Sequence, residues 1–325
     1  MTNQIPKSRV SFFPVPLSDE LLDSVVFRYH KLSGARNPAA TVETLFGKRV
    51  AVPPKLLTNC LDTLWANVAT KQFPSTDDLI ESLTLVPAFG AILDERQMQS
   101  AWSSSYRSLT LGMGTLYRSP IRVIASALQS CPMCVNEEFE RLGVAYWHRS
   151  HQLDGVKVCH LHGCDLHSSC RHCHQPIRPA NSMQLPQLVC QSCKKTQLAV
   201  FSHPEPVRRL AVLATQALLG TVSHCDRQML ARKVRQLLGS DTAQACDQMR
   251  ERYGSEYINS RSGEYSSSFN GDWLKHGFRR RHTVRGWESD FMNLPSLGHM
   301  LMLVDFLFGS WDSLLDTSGR QTHVA

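Results

Sequence analysis

Four closely spaced cysteine pairs, or cysteine–histidine pairs, sit in the middle of the chain. Cys131-Pro-Met-Cys134 is followed after 24 residues by Cys159-His-Leu-His162, and Cys170-Arg-His-Cys173 is followed after 16 residues by Cys190-Gln-Ser-Cys193. A tetrahedral zinc ion takes four nitrogen or sulfur donors, and two such turns meeting across a hairpin supply them. The second set has the spacing of a four-cysteine zinc ribbon. The first has a longer insert and a histidine in its second half, and His160, Cys164 and His167 lie close enough to replace one of its ligands. Two sites of four protein donors leave no open coordination position. Two structural Zn2+ ions are therefore expected, rather than catalytic ones.

Other chemistries fit less well. A thioredoxin-type centre needs one C-x-x-C at a βαβ turn, not four such turns in a row. A zinc deaminase needs H-x-E followed by P-C-x-x-C, whereas His203-Pro-Glu205 lies after the knuckles and lacks that continuation. There is no G-x-x-x-x-G-K-[ST] for ATP, and no carboxylates are spaced as a two-metal site would require. An enzyme is not expected. Cys60, Cys225 and Cys246 fall in helical stretches and read as core residues.

These knuckles need something to hold them. The flanking sequence predicts a mainly α protein with an N-terminal helical (helix-turn-helix-like) block over 1–130, tandem zinc-ribbon-like modules over 131–200 and a C-terminal helical domain over 201–325. Ser18 as N-cap with Asp19 and Glu20 in the first turn predicts a helix carrying Leu21, Leu22, Val25, Val26 and Tyr29 up to Gly34. Further helices are expected over Pro38–Phe46, Pro54–Val68 and Asp77–Leu85, the last capped by Ser75 or Thr76. A small bundle accounts for them as well as a helix-turn-helix variant does. Between Cys131 and Cys193 helical periodicity gives way to short strand-like runs at Val144–Trp147, Val156–Val158 and Gln187–Val189. Helices return over Pro206–Leu219, Asp226–Leu238 and Asp241–Tyr253, each closed by a glycine. Ser255–Gly271 reads as a loop, and two more helices are expected over Trp273–Arg281 and Ser296–Phe308.

Composition narrows the class. The 325 residues are 42% hydrophobic and 19% charged, with 11 cysteines, 14 histidines and a formal charge of +7. That excludes collagen, a long coiled coil and wholesale disorder. The first 30 residues show no secretory pattern and no segment is apolar enough to span a bilayer, so a soluble intracellular protein without membrane contact is expected. In a reducing compartment 11 cysteines point to metal rather than disulfides. Counting three and four zinc-bound thiolates lowers the charge to about +4, so bulk charge is weak evidence for nucleic acid and local clustering must carry that case.

One cluster stands out. Lys275, Arg279, Arg280, Arg281 and Arg285 occur with no acid between Asp272 and Glu288. On a helix Lys275, Arg279 and His282 would share a face suited to phosphate contacts. A solvated face and an acidic protein partner remain open readings. Arg208-Arg209 and Arg232-Lys233-x-Arg235 read as solvated helix faces. Inside the first zinc loop, Trp147 packing over the metal with His148 or His151 donating to a backbone carbonyl is one reading. Arg149 presenting a contact to a partner or nucleic acid is the other.

Tyr146-Trp147-His148-Arg149 running into Cys159-x-x-His162-Gly163, with Phe13-Pro14-Val15-Pro16, Glu20-Leu21-Leu22-Asp23-Ser24 and Arg28 near the start, resembles the TniQ/TnsD family of transposition target-selection proteins. The likeness covers about the first 200 residues; Trp273-Leu274-Lys275, Arg279–Arg281 and Leu297–Phe308 are more weakly similar to the TnsD type. The resemblance implies an adapter for Tn7-like DNA transposition that recruits the AAA+ ATPase TnsC and, through it, the transposase. TniQ-type members ride as a homodimer on an RNA-guided CRISPR effector, Cascade, with its guide RNA and target DNA, and TnsD-type members read an attachment sequence directly. TnsD-type chains extend further behind the shared front, so a chain ending at Ala325 favours the adapter type, with the TnsD-type reading as the alternative.

Overall fold

The computed structural model describes residues 10–47, 61–68, 73–91, 127–177, 182–220, 242–254, 280–282, 288–290 and 297–316, with isolated positions between. It is mainly helical, as the sequence predicts. Helix α1 (Leu22–Leu32) is buried on every side from Leu22 to Phe27. Helices α2 (Pro38–Phe46), α3 (Leu61–Val68) and α4 (Thr76–Leu83) pack in succession, and a 3-10 turn (Val86–Ala91) follows. Asn37 caps α2, Pro38 occupies its first turn, and Gly47 ends it with a left-handed φ of 76°. Those are the residue types that favour each position. Ser75 caps α4 by accepting from the Asp78 N–H at 3.2 Å.

Two expectations here are corrected. Ser18 does not cap α1: the helix starts at Leu22, and Asp19 sits at φ 57° to turn the chain sharply before it. The cysteine-rich segment is not free of helix either. Helix α5 (Pro132–Leu142) begins on Cys131 as N-cap, has Pro132 in its first turn and stops at Gly143 with φ 69°. The runs read as strands form no strand; Val158 and Val189 take part only in isolated bridges, to Asp165 and Thr196.

Beyond the knuckles, α6 (Glu205–Leu218) packs on the 3-10 turn of the N-terminal block and on α8 (Leu297–Leu303). Helix α8 widens into a π turn (Val304–Phe308), closed by the Gly309 N–H donating to Val304 O at 2.8 Å. Helices α7 (Thr242–Tyr253) and α9 (Trp311–Asp316) complete the C-terminal part. One buried apolar cluster runs through all of this, from Val10 to Leu314. No helix among the described residues is long and apolar enough to cross a membrane.

Strands β1 (Arg280–His282) and β2 (Glu288–Asp290) pair antiparallel, with Arg280 opposite Asp290 and His282 opposite Glu288. The helix expected through Arg281 is therefore a strand at its end. Lys275, Arg279 and Arg285 lie outside the described residues, as do Cys60, Cys225, the Cys246 side chain, most of Asp226–Leu238 and the Ser255–Gly271 segment.

Arg209 is not merely a solvated helix residue. Asp305, 1% exposed in the π turn, accepts from Arg209 Nε at 2.9 Å and from the Tyr253 hydroxyl at 2.8 Å, and pairs with the Arg252 guanidinium at 2.9 Å. This carboxylate joins α6, α7 and the end of α8. Asp305→Ala removes the carboxylate from a buried tyrosine hydroxyl and from two half-exposed arginines, and should lower unfolding free energy by about 2 kcal/mol, read by urea denaturation. Asp305→Asn, which keeps an acceptor for Tyr253, should cost less.

Candidate metal centres and the seam that carries them

The knuckle at Cys159 shares a backbone pattern with the two at Cys170 and Cys190. In each, the first cysteine N–H donates to the carbonyl five residues on (Cys164, Gln175 and Lys195), at 2.8, 2.8 and 2.9 Å. The residue four positions on, which is Gly163, His174 or Lys194, donates back to that cysteine's carbonyl and adopts φ of 70°, 58° or 61°. The turn tightens enough to bring two donors to one point.

At the first centre the donor atoms of Cys131, Cys134, Cys159 and His162 all lie within 4.8 Å of one another. Cys134 and Cys159 Sγ are 3.7 Å apart, and His162 Nδ1 lies 3.4, 3.3 and 3.6 Å from Cys131, Cys134 and Cys159. Tetrahedral zinc with metal–sulfur bonds of about 2.3 Å and a metal–nitrogen bond near 2.0 Å requires edges of about 3.6–3.8 Å, so the donor set fits such an ion. His162 Nε2 donates to Glu137 Oε1 at 3.0 Å, which leaves Nδ1 with its lone pair toward the sulfurs. Cys131 Sγ also accepts from the Cys134 N–H at 3.4 Å, at the helix N-terminus where thiolates are favoured. Of the alternative ligands, His160 lies near Cys159 and His151 in a separate grouping, and His167 joins no grouping among the described residues.

Cys170, Cys173, Cys190 and Cys193 make the second set. Cys170 to Cys193 and Cys173 to Cys190 are each 3.6 Å apart. Gln197 Nε2 donates to Cys170 Sγ at 3.2 Å, and Gln197 Oε1 accepts from the Arg171 N–H. Both clusters can hold a metal ion. Asp165, just past the first knuckle, ties the two together by accepting from Arg171 at 2.7 Å and from the Ser202 N–H at 3.1 Å.

The loop inside the first centre belongs to a polar seam with the N-terminal block. Leu21 N–H donates to Trp147 O, Arg149 N–H to Asp19 O, and Trp147 N–H to Ser24 Oγ at 2.8, 2.8 and 3.1 Å. Glu20, fully buried, accepts from Arg28 at 2.7 Å and from the Leu17 N–H at 2.9 Å, and Arg28 also reaches Val15 O. Burial outweighs these donors and raises the Glu20 pKa. Trp147 lies in the main apolar core rather than among the cysteines, with its indole N–H donating to Gln184 O at 2.9 Å.

Arg149 is 5% exposed, and its guanidinium donates to Glu81 O and Thr84 O at the C-terminal end of α4 at 2.6 and 3.2 Å, with Asp19 3.5 Å away. It is an interior clamp on helix carbonyls, not a residue presented to a partner. His148 donates to Glu138 and faces Asp19, so its partners are carboxylates and not the backbone carbonyl expected. Burial opposes its charge, but hydrogen bonds and charge from Asp19 and Glu138 win and raise its pKa to about 9. Asp19 responds in kind: burial would raise its pKa, yet His148, Ser150 and Arg149 together hold it below the ordinary range.

Sequence reasoning missed Glu137 and Glu138, which hold His162 and His148. The signal was present: Pro132 and Gly143 bracket a helix that places both carboxylates one turn past Cys134.

Residues 11–166 match the TniQ family model. The front of this chain is thus similar to the family its motifs resemble. The chain is also 27% identical over 158 residues to the transposon Tn7 transposition protein TnsD of Escherichia coli, a match that covers 46% of this chain and 30% of that relative's length. The TniQ match contains the whole first centre and stops before Cys170, so the second centre lies beyond it.

Cys190→Ser should reduce bound metal from two ions to one per chain by elemental analysis, with a sharp loss of soluble yield. The seam carries its own pH dependence. A group with its pKa raised from 6.5 to about 9 stabilises the fold fully below about 6.5 and loses that contribution as pH rises through 9. Melting temperature should fall between pH 7 and 10 in the native chain, and His148→Gln should flatten that slope.

Proposed function

We propose that this chain is a non-catalytic target-selection adapter for Tn7-like transposition, linking a target-recognising complex to the AAA+ regulator TnsC and through it to the transposase. The observation that carries the reading is the use of the TniQ motif residues: Glu20, Ser24, Arg28, Trp147 and Arg149 bond to one another's segments inside the protein. Residues spent on internal architecture build a scaffold, and the scaffold's outer faces are left for partners. Two structural zinc ions held by Cys131, Cys134, Cys159 and His162 and by Cys170, Cys173, Cys190 and Cys193 would stiffen it; closed four-donor sites leave no position for substrate.

For the source of target information we favour an RNA-guided effector of the Cascade type, with the adapter acting as a homodimer in the cytoplasm. The second reading, direct recognition of an attachment sequence, is favoured by the likeness to the Escherichia coli TnsD protein, and would use Lys275, Arg279, Arg280, Arg281 and Arg285 on phosphates. A tagged pull-down from the native host, with and without nuclease, separates them. Recovery of CRISPR effector subunits, guide RNA and an AAA+ ATPase is the expected result. Recovery of the ATPase with one chromosomal sequence, lost on DNase treatment, would establish the direct reader; recovery of neither would end the targeting role.

A further inference from the structure

Cys164 is a sulfur the first centre does not need. The tetrahedron closes on Cys131, Cys134, Cys159 and His162, and Cys164 occupies the fifth position after the knuckle's first cysteine, where the two sister knuckles carry the non-ligands Gln175 and Lys195. Yet its Sγ lies 3.2 Å from Cys131 Sγ, closer than the 3.6–3.7 Å that separates the paired donors within each centre. Both residues are fully buried in one sulfur cluster. Backbone bonds fix Cys164 in place: the Cys159 N–H donates to its carbonyl, and Val158 and Asp165 bridge on either side.

We propose that Cys131 and Cys164 form a peroxide-sensitive pair, in which oxidation makes a Cys131–Cys164 disulfide and removes one donor from the first metal centre. The Cys131 thiolate attacks one oxygen of hydrogen peroxide, breaking the O–O bond, giving a sulfenic acid and releasing hydroxide. The Cys164 thiol then attacks that sulfur, displaces its oxygen as water with the thiol proton, and closes the disulfide. Two electrons pass from the two sulfurs to one peroxide. Cys131 is also the N-cap of α5, whose Glu137 and Glu138 hold His162 and His148. Oxidation therefore reaches the seam with the N-terminal block, and thiol reductant with added zinc reverses it.

The inference rests on the four-donor reading of the first centre and not on the targeting role. The metal-loaded full chain is treated with hydrogen peroxide, released zinc is followed by a chromogenic chelator, and non-reduced peptides are mapped by mass spectrometry. One of the two metal equivalents is expected to leave with appearance of the 131–164 cross-link, and Cys164→Ser should slow release about tenfold while starting with the same metal content. Release from Cys164→Ser at the native rate, or a peptide map without the 131–164 link, overturns the proposal. Untreated protein holding only one metal would refute the four-donor reading instead, and the peptide map would still decide the thiol pair.

Discussion

The structure depends on one buried polar seam, where the chain before α1 meets the loop between the halves of the first metal centre. Asp19 through Arg28 on one side and Trp147 through Ser150 on the other exchange backbone bonds, and the side chains between them are charged and almost without solvent. Buried charges are tolerated only when paired and hydrogen-bonded. Here each has its partner: Glu20 in Arg28, His148 in Asp19 and Glu138, and Arg149 at the end of α4. Helix α1 can be buried all round because the seam satisfies the polar groups on one of its sides.

The metal centres extend this logic. The Cys131 turn is the start of a helix, and that helix supplies carboxylates both to the candidate ligand His162 and to the seam histidine His148. A single short element thus couples metal geometry to the packing of the N-terminal block. The second centre hangs on the first through Asp165 and Arg171, and on the core through Trp147 and Gln184.

Much of this was legible in the sequence. The donor sets follow from spacing, and α2, α4, α6 and α7 follow from caps, prolines and glycines within a residue or two of the observed ends. The errors have local causes. Ser18 looked like a cap, but Asp19 takes a left-handed turn that tertiary bonds to Ser150 and His148 compensate. Helix α5 was hidden because its first turn is spent on cysteines, which read as a knuckle rather than as a helix start. Arg149 looked like a free cation because sequence cannot show that the carbonyls of Glu81 and Thr84, over sixty residues away, come to meet it. Pairings across such distances leave no periodic trace.

The place where the family likeness stops has a consequence for how such chains can be recombined. It ends at residue 166, immediately after Asp165, whose carboxylate is held by Arg171 and Ser202, and it includes Trp147, whose indole is held by Gln184. A graft of residues 11–166 onto another protein would expose an orphaned acid and an uncapped indole at the cut. Exchange between relatives should therefore respect a boundary past Ser202, so that the second knuckle pair travels with the first as one heritable block.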